Sequence, residues 1–306
     1  MAFAATNRVM AWLLDPSEPS IRYLASRDLL EPRPSSRRLH RLRDQVSRGG
    51  WAADILSRQR EATWWARKDT CYWPKMRGTF WQLELLADLG VMREDRRVAS
   101  AVEHMLRIHL APDGGFSPFG PPKPSHFCST GIMVRTLVRM GYGGDERVAA
   151  AVRWLVDAQL EDGGWDCHVP SKGTLDAWEA LAAFAEIPPA RRSSSVADAI
   201  DRGAEFFLQR RLLREGAAYP RWRQLHYPWH YWYDVLVGLH TLTALGYGTD
   251  SRIGDAFAVL ERRRGTDGRW SLDGTNGDLR VESPHRPSKM VTLLALSTLK
   301  RARRIR

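Results

Sequence analysis

The 306-residue chain has only three cysteines, Cys71, Cys128 and Cys167. Three cannot build a disulfide framework, and an odd number in a reducing compartment points to free thiols, packing or metal ligation. Lysine is also scarce, with six Lys against forty Arg. No apolar run approaches the ~18 residues that argue for a membrane span. Met1 to Leu14 interrupts its apolar stretch with Asn7 and Arg8 and has neither a basic leader nor a small-residue cleavage site, so a cytoplasmic protein is expected. Cys-x-x-Cys, His-Glu-x-x-His, a Gly-rich phosphate loop, a nucleophile elbow and a Rossmann fingerprint are all missing. The chemistry therefore cannot be read from one short motif. What is present is an ordinary globular balance, 43 % apolar and 26 % charged, which excludes disordered and collagen-like chains. The net charge of +11 is compatible with an anionic ligand or nucleic acid. Arg clusters such as Arg37, Arg38, Arg41 and Arg262–Arg264 keep a basic nucleic-acid-binding protein as an alternative reading.

A repeat organises the chain. Asp113-Gly114-Gly115-Phe116 recurs as Asp162-Gly163-Gly164-Trp165 and again as Asp267-Gly268-Arg269-Trp270, with an earlier echo at Gly49-Gly50-Trp51. A second landmark, Leu89-Gly90, Met140-Gly141-Tyr142 and Leu245-Gly246-Tyr247, recurs in step with it. Segments after this landmark are apolar at helical spacing on one face (Val98, Val102, Met105, Leu106; Val148, Val152, Leu155, Val156). Segments before it are apolar on most faces, as helices buried on all sides are. The pattern predicts amphipathic helices near 3–14, 36–47, 95–110, 145–160, 195–212 and 251–264. Buried helices are predicted near 20–30, 75–89, 129–140, 174–187, 231–245 and 288–300. Six inner and six outer helices imply an all-α chain, one domain over residues 1–306, closed as an (α/α)6 toroid. An open solenoid would need polar end caps, and the last inner helix is as apolar as the central ones.

Asp-Gly-Gly-Trp loops spaced by about 50 residues between paired helices resemble the repeat of class II terpene cyclases and protein prenyltransferase β subunits, from about Gly49 to Leu299. The resemblance implies an aromatic-lined isoprenoid pocket at one mouth of the barrel, where the loops entering the inner helices converge. The Asp-x-Asp-Asp motif with which class II cyclases protonate their substrate is absent. The segment His230-Tyr231-Trp232-Tyr233-Asp234 resembles the second zinc element of the prenyltransferases, with His230 at the ligand position. The first element would fall near Gly173-Thr174-Leu175, which offers no ligand. Cys128 with Cys167-His168 is similar to the Cys and Cys-His ligands of lanthionine cyclases.

The predicted convergence nominates zinc as cofactor, held by Cys128, Cys167, His168 and His230, with Asp166, His126 and Cys71 in reserve. Trp81, Trp178, Trp229 and Trp232 are expected to line the pocket, where ring faces suit an apolar or cationic ligand. Arg77, Lys172 and Lys289 are expected to hold a phosphate or carboxylate. Asp234 and Asp176 are the candidates for moving protons. Asp234 is read as sharing a helical face with His230, four residues earlier. The expected activity is alkyl transfer or cyclisation on an apolar isoprenoid or polyketide-like molecule, with no obligate protein partner. A non-catalytic lipid- or terpenoid-binding toroid is the alternative.

Overall fold

The computed structural model describes residues 2–166, 172–214, 220–275 and 281–305. Thirteen α-helices occur among them, and no strand, only isolated bridges. In order they are α1 (Ala2–Leu13), α2 (Pro19–Asp28), α3 (Ser36–Val46), α4 (Gly50–Ser57), α5 (Thr79–Asp88), α6 (Arg96–His109) and α7 (Phe127–Leu137). Then come α8 (Glu146–Asp157), α9 (Glu179–Ala185), α10 (Ser194–Gln209), α11 (Val235–Ala244), α12 (Gly254–Arg262) and α13 (Lys289–Arg301). All twelve expected helices are present. The largest boundary difference is at α9, where residues 174–178 form a turn and the helix starts at Glu179.

Local chemistry explains the boundaries. Asp95, Asp145 and Ser193 each accept a backbone N–H at the start of an outer helix. Gly90, Gly141 and Gly246 sit at φ 88°, 94° and 101°, just past the ends of inner helices, where a side chain would be strained. Every residue of α5 is buried, whereas α6 buries one face.

The buried helices are neighbours in chain order. α5 packs on α7, α7 on α9, α9 on α11, α11 on α13 and α13 on α2, while α4 touches both α5 and α2. The Lys300 ammonium reaches the Leu29 carbonyl (3.3 Å) and Glu31 (2.6 Å), tying the last inner helix to the first. Outer helices α3, α6, α8, α10 and α12 lie on α2, α5, α7, α9 and α11.

The repeat loops stitch each outer helix to the next inner one. The Trp165 indole N–H donates to the Leu155 carbonyl at 2.9 Å, and Trp270 donates to Leu260 at 2.8 Å. The backbone N–H groups of Phe116 and Trp270 donate to Thr130 and Thr292 in the following inner helix. The carbonyls of Phe116, Trp165 and Trp270 accept from His126, Thr174 and Ser288, which stand just ahead of those helices. Phe116, Trp165 and Trp270 are fully buried, so an indole N–H left unpaired would cost roughly 1–3 kcal/mol.

One element differs from expectation. Gly49-Gly50-Trp51 opens α4 rather than forming a repeat loop, with the Trp51 N–H donating to Glu18 at 3.1 Å. The loop aromatic of that repeat is Trp65. Its indole donates to Ile55 (2.8 Å) and its backbone N–H to Thr79 (3.0 Å), the same two bonds as at Trp270.

Candidate functional site

A cavity of about 960 Å³ opens at the N-terminal ends of the inner helices. The turn before α5 supplies Tyr72, Trp73 and Lys75; the segment entering α7 supplies Phe119, His126 and Cys128. The head of α9 supplies Asp176 and Glu179, and the loop before α11 supplies Trp222, His226, Tyr231 and Trp232. Trp73, Phe119 and Trp232 are the exposed large hydrophobic residues of the described chain, at 41 %, 60 % and 43 %, and all three line this cavity. The Lys75 ammonium stands over the rings of Tyr231 (5.1 Å), Trp73 (5.6 Å) and Tyr72 (5.9 Å), and the Arg221 guanidinium stands 5.8 Å from the Trp232 ring. The rim is therefore an aromatic ring with cations on it.

Glu179 is the unusual group. It is 1 % exposed, lines the cavity, and its Oε2 has no hydrogen-bond partner among the described residues. Burial holds its carboxyl well above the ordinary carboxylate range, and the nearby Asp176 and Glu84 carboxylates push the same way. It is placed there by a close approach of α7 to α9. Gly131 of α7 has no side chain, and a Cβ there would lie 2.7 Å from the Glu179 carbonyl carbon. Sequence reasoning missed Glu179. The available signal was a lone carboxylate at the start of an otherwise apolar helix, where charges are rarely buried unless paired.

Beside the cavity runs a buried polar chain. His230 Nδ1 meets Glu84 Oε2 at 2.6 Å, and Glu84 Oε1 stands 3.9 Å from Arg135. Arg135 donates to Asp88 at 2.7 Å; Arg139 donates to the same carboxylate and to Glu186 at 2.7 Å. None of these partners of His230 was read from the sequence.

The expected site residues scatter. Asp176 lines the cavity and accepts from the Trp222 indole at 3.2 Å. Asp234 is the N-cap of α11. One oxygen accepts from Leu236 and Val237, the other from the backbone and ring of His226, so its acceptor sites are taken. The expected pairing of Asp234 with His230 is corrected: His230 lies ahead of the helix at φ 42°, and His226 is the partner. Trp232 is on the cavity wall. Trp81 lies behind it, fully buried, donating to the Tyr72 carbonyl (2.8 Å) and edge-on to His230 and Tyr231. Trp178 caps α9, edge-on to Trp229 at 5.9 Å. Trp229 is corrected: it does not line the mouth cavity but a second cavity that extends to the C-terminal ends of the inner helices. Arg77 and Lys172 are exposed and line neither cavity, and Lys289 stands 5.7 Å from the Trp12 ring.

Only two of the four expected zinc ligands, Cys128 and His230, fall among the described residues. Cys167 and His168 lie outside them. Cys128 is on the cavity wall and His230 is not; His230 Nδ1 meets Glu84, while its buried Nε2 has no hydrogen-bond partner among the described residues. Among the described residues no three of His, Cys, Asp and Glu gather as a metal site. The Cys128 thiol is pushed up to about 12 by burial and by Glu179, so on its own it stays protonated. Cys71 is buried, and its N–H donates to His109 Nε2 at 2.9 Å. No described helix is long and apolar enough to cross a membrane.

No family model matches the chain, and no curated protein matches it by sequence. Solved structures do. The apo type II terpene cyclase MstE from Scytonema aligns with a TM-score of 0.50 and 16 % identity, over 97 % of this chain and 88 % of that one. A variant of MstE in complex with geranylgeranyl dihydroxybenzoate, its substrate, aligns at 0.53 and 16 %, over 99 % and 97 %. A variant in complex with merosterolic acid A, its product, aligns at 0.52 and 16 %, over 99 % and 97 %. At that identity the likeness speaks for the fold alone: the chain has the all-α architecture of a type II terpene cyclase.

Proposed function

We propose that the chain is a cyclase-type enzyme whose inner helices close into an (α/α)6 toroid. It binds an apolar, isoprenoid-like molecule in the mouth cavity and starts its reaction by proton transfer from Glu179. Contact of α13 with α2, and of α4 with both α2 and α5, supports the closure. The single observation that carries the function is Glu179, a buried carboxyl with an unpartnered oxygen facing an aromatic-walled cavity. The likeness to a cyclase that binds a geranylgeranyl substrate adds the substrate class.

The chemistry follows from the residues. A carboxyl whose proton affinity is raised by burial holds its proton to higher pH than an ordinary carboxylate, which suits it to donate. The π pair of a substrate double bond takes that proton, forming a C–H bond, and the O–H pair stays on Glu179 as a carboxylate. The new carbocation and the carboxylate form an ion pair at the buried Glu179 oxygen, where attraction is stronger than in water. The ring faces of Tyr72, Tyr231 and Trp232 stabilise the cation further. A second double bond closes a ring, and loss of a proton to Asp176, on the same wall, ends the sequence. No atom is gained or lost overall, so the product is an isomer. Zinc enters no step of this reading.

The test uses geranylgeranyl dihydroxybenzoate and related prenyl phenols in deuterated water. The expected product is a cyclic isomer carrying one added deuterium, formed by the natural protein and not by Glu179→Gln, which still binds the substrate by tryptophan quenching. Undiminished turnover in Glu179→Gln overturns the role of Glu179. Binding without turnover in the natural protein replaces the enzyme with a binding toroid, and absence of binding removes the isoprenoid reading.

A further inference from the structure

We propose that the barrel has a second ligand site at its opposite end, a cationic cavity that takes a small phosphate-bearing anion. This cavity has a volume of about 810 Å³ and lies at the C-terminal ends of the inner helices, within the usual range of small-molecule pockets. Six cationic side chains line it, Arg27, Arg33, Arg135, Arg139, Lys300 and Arg301, against three carboxylates, Asp28, Asp88 and Glu186.

The pairing accounts for part of that charge. Arg27 makes two bonds to Asp28, at 2.6 and 2.8 Å. Arg135 and Arg139 share Asp88, and Arg139 also holds Glu186. Lys300 is answered by Glu31 at 2.6 Å. Arg33 and Arg301 have no carboxylate partner among the described residues. One Arg301 N–H points instead at His240 Nε2, 3.3 Å away. His240 Nδ1 lies 3.1 Å from the Thr298 hydroxyl, so a neutral ring accepting from Arg301 can donate to Thr298.

His240 lies within this cluster of guanidiniums. Its imidazole is held well below the ordinary histidine range, by burial first and then by Arg301, Arg139, Arg135 and Arg27. Negative helix C-termini offset some positive charge here, but the surplus reaches the histidine all the same.

The surplus guanidiniums come from different elements, Arg33 from the turn after α2 and Arg301 from the last turn of α13. A carboxylate offers one planar edge and satisfies one fork. A tetrahedral phosphate offers several edges and accepts forks from separate directions. At neutral pH it also carries about −1.5 to −2 charges, close to the two that are uncompensated.

The experiment titrates inorganic phosphate and pyrophosphate into the natural protein by calorimetry, with citrate as a polycarboxylate comparator. It is repeated on Arg33→Gln, Arg301→Gln and the double variant. Both arginines are exposed, so the variants should fold, and circular dichroism checks this. Saturable 1:1 binding of phosphate or pyrophosphate is expected, about tenfold weaker in each single variant and lost in the double. The His240 ring signal should shift on binding, and Glu179→Gln should bind as the natural protein does, because that residue serves the other cavity. No saturable binding, or binding undiminished in the double variant, overturns the proposal. Tighter binding of citrate than of either phosphate overturns the ligand class.

Discussion

Replacing Gly131 with alanine tests the close approach of α7 and α9 that places Glu179. The added Cβ would lie 2.7 Å from the Glu179 carbonyl carbon, 2.8 Å from Ala180 N and 2.9 Å from Glu179 Cβ. None of these atoms can rotate aside, so the helices must part by about 0.7 Å to restore contact at 3.4 Å. Alanine gains roughly 1 kcal/mol over glycine in helix propensity. Overpacking against rigid backbone costs roughly 1–3 kcal/mol, and two facing backbones put this site at the upper end. The net expectation is a loss of about 2 kcal/mol, read as a lower urea midpoint with an unchanged slope. Gly254→Ala is the control. Nothing lies within 4 Å of its added Cβ and its φ of −58° suits any residue, so it should change stability by between zero and about +1 kcal/mol. In Gly131→Ala, turnover should fall about tenfold or more, since sub-ångström displacement of a reacting group is costly. A Gly131→Ala protein as stable as the natural one would refute the close approach.

Asp88→Asn removes the hydrogen-bonded carboxylate of Arg135, 3 % exposed, leaving it only Glu84 at 3.9 Å, and should destabilise the protein by about 3 kcal/mol in urea unfolding. Trp165→Phe removes the indole bond to Leu155 and should cost about 1–3 kcal/mol by the same assay. Native Glu179 keeps a proton that the unfolded chain releases, so stability should fall as pH rises from the ordinary carboxylate range toward the native value. Glu18, pushed up to about 6, adds the same sign only below that pH. Unfolding midpoints followed from the ordinary carboxylate range upward should therefore decline less steeply with pH in Glu179→Gln. In the proposed cyclisation the protonated Glu179 is the donor, so the rate should also fall toward high pH.

The repeat made the fold legible. A Gly-Gly-aromatic loop and a helical period recur together, and each is local, so all twelve expected helices lie where the pattern put them. α4 was missed because Gly49-Gly50-Trp51 has the same letters as a repeat loop, and only the tertiary bonds of Trp65 show which aromatic does the stitching. The site was half legible. Cys128, Asp176 and Trp232 were assigned to the mouth because they precede or open inner helices, and they line its cavity. Trp229 was assigned there on the same argument and faces the other way, because the non-helical path of residues 228–234 decides its direction, not the spacing. Glu84, Glu179 and Arg135 were invisible for a different reason. Each lies in a helix read as apolar on most faces, and its meaning lies in neighbours from other repeats.

The stitched loops separate two properties that most domains trade against each other. The carbonyls of Phe116, Trp165 and Trp270 are each bonded just ahead of the next inner helix, and the indoles of Trp165 and Trp270 are tied to the outer helix behind, so the segment between has its ends fixed before its own sequence matters. From Phe116 to His126 that segment is short, while from Trp270 to Ser288 it is nearly twice as long, with the same bonds at both ends. Lengthening a loop whose ends are already fixed costs only a few tenths of a kcal/mol for modest insertions. Pro118, Phe119, Gly274 and Thr275 of these segments line the mouth cavity, so insertion and deletion there can change the cavity surface while the paired helices stay unchanged. Randomised inserts at this rim are the natural place to redirect specificity.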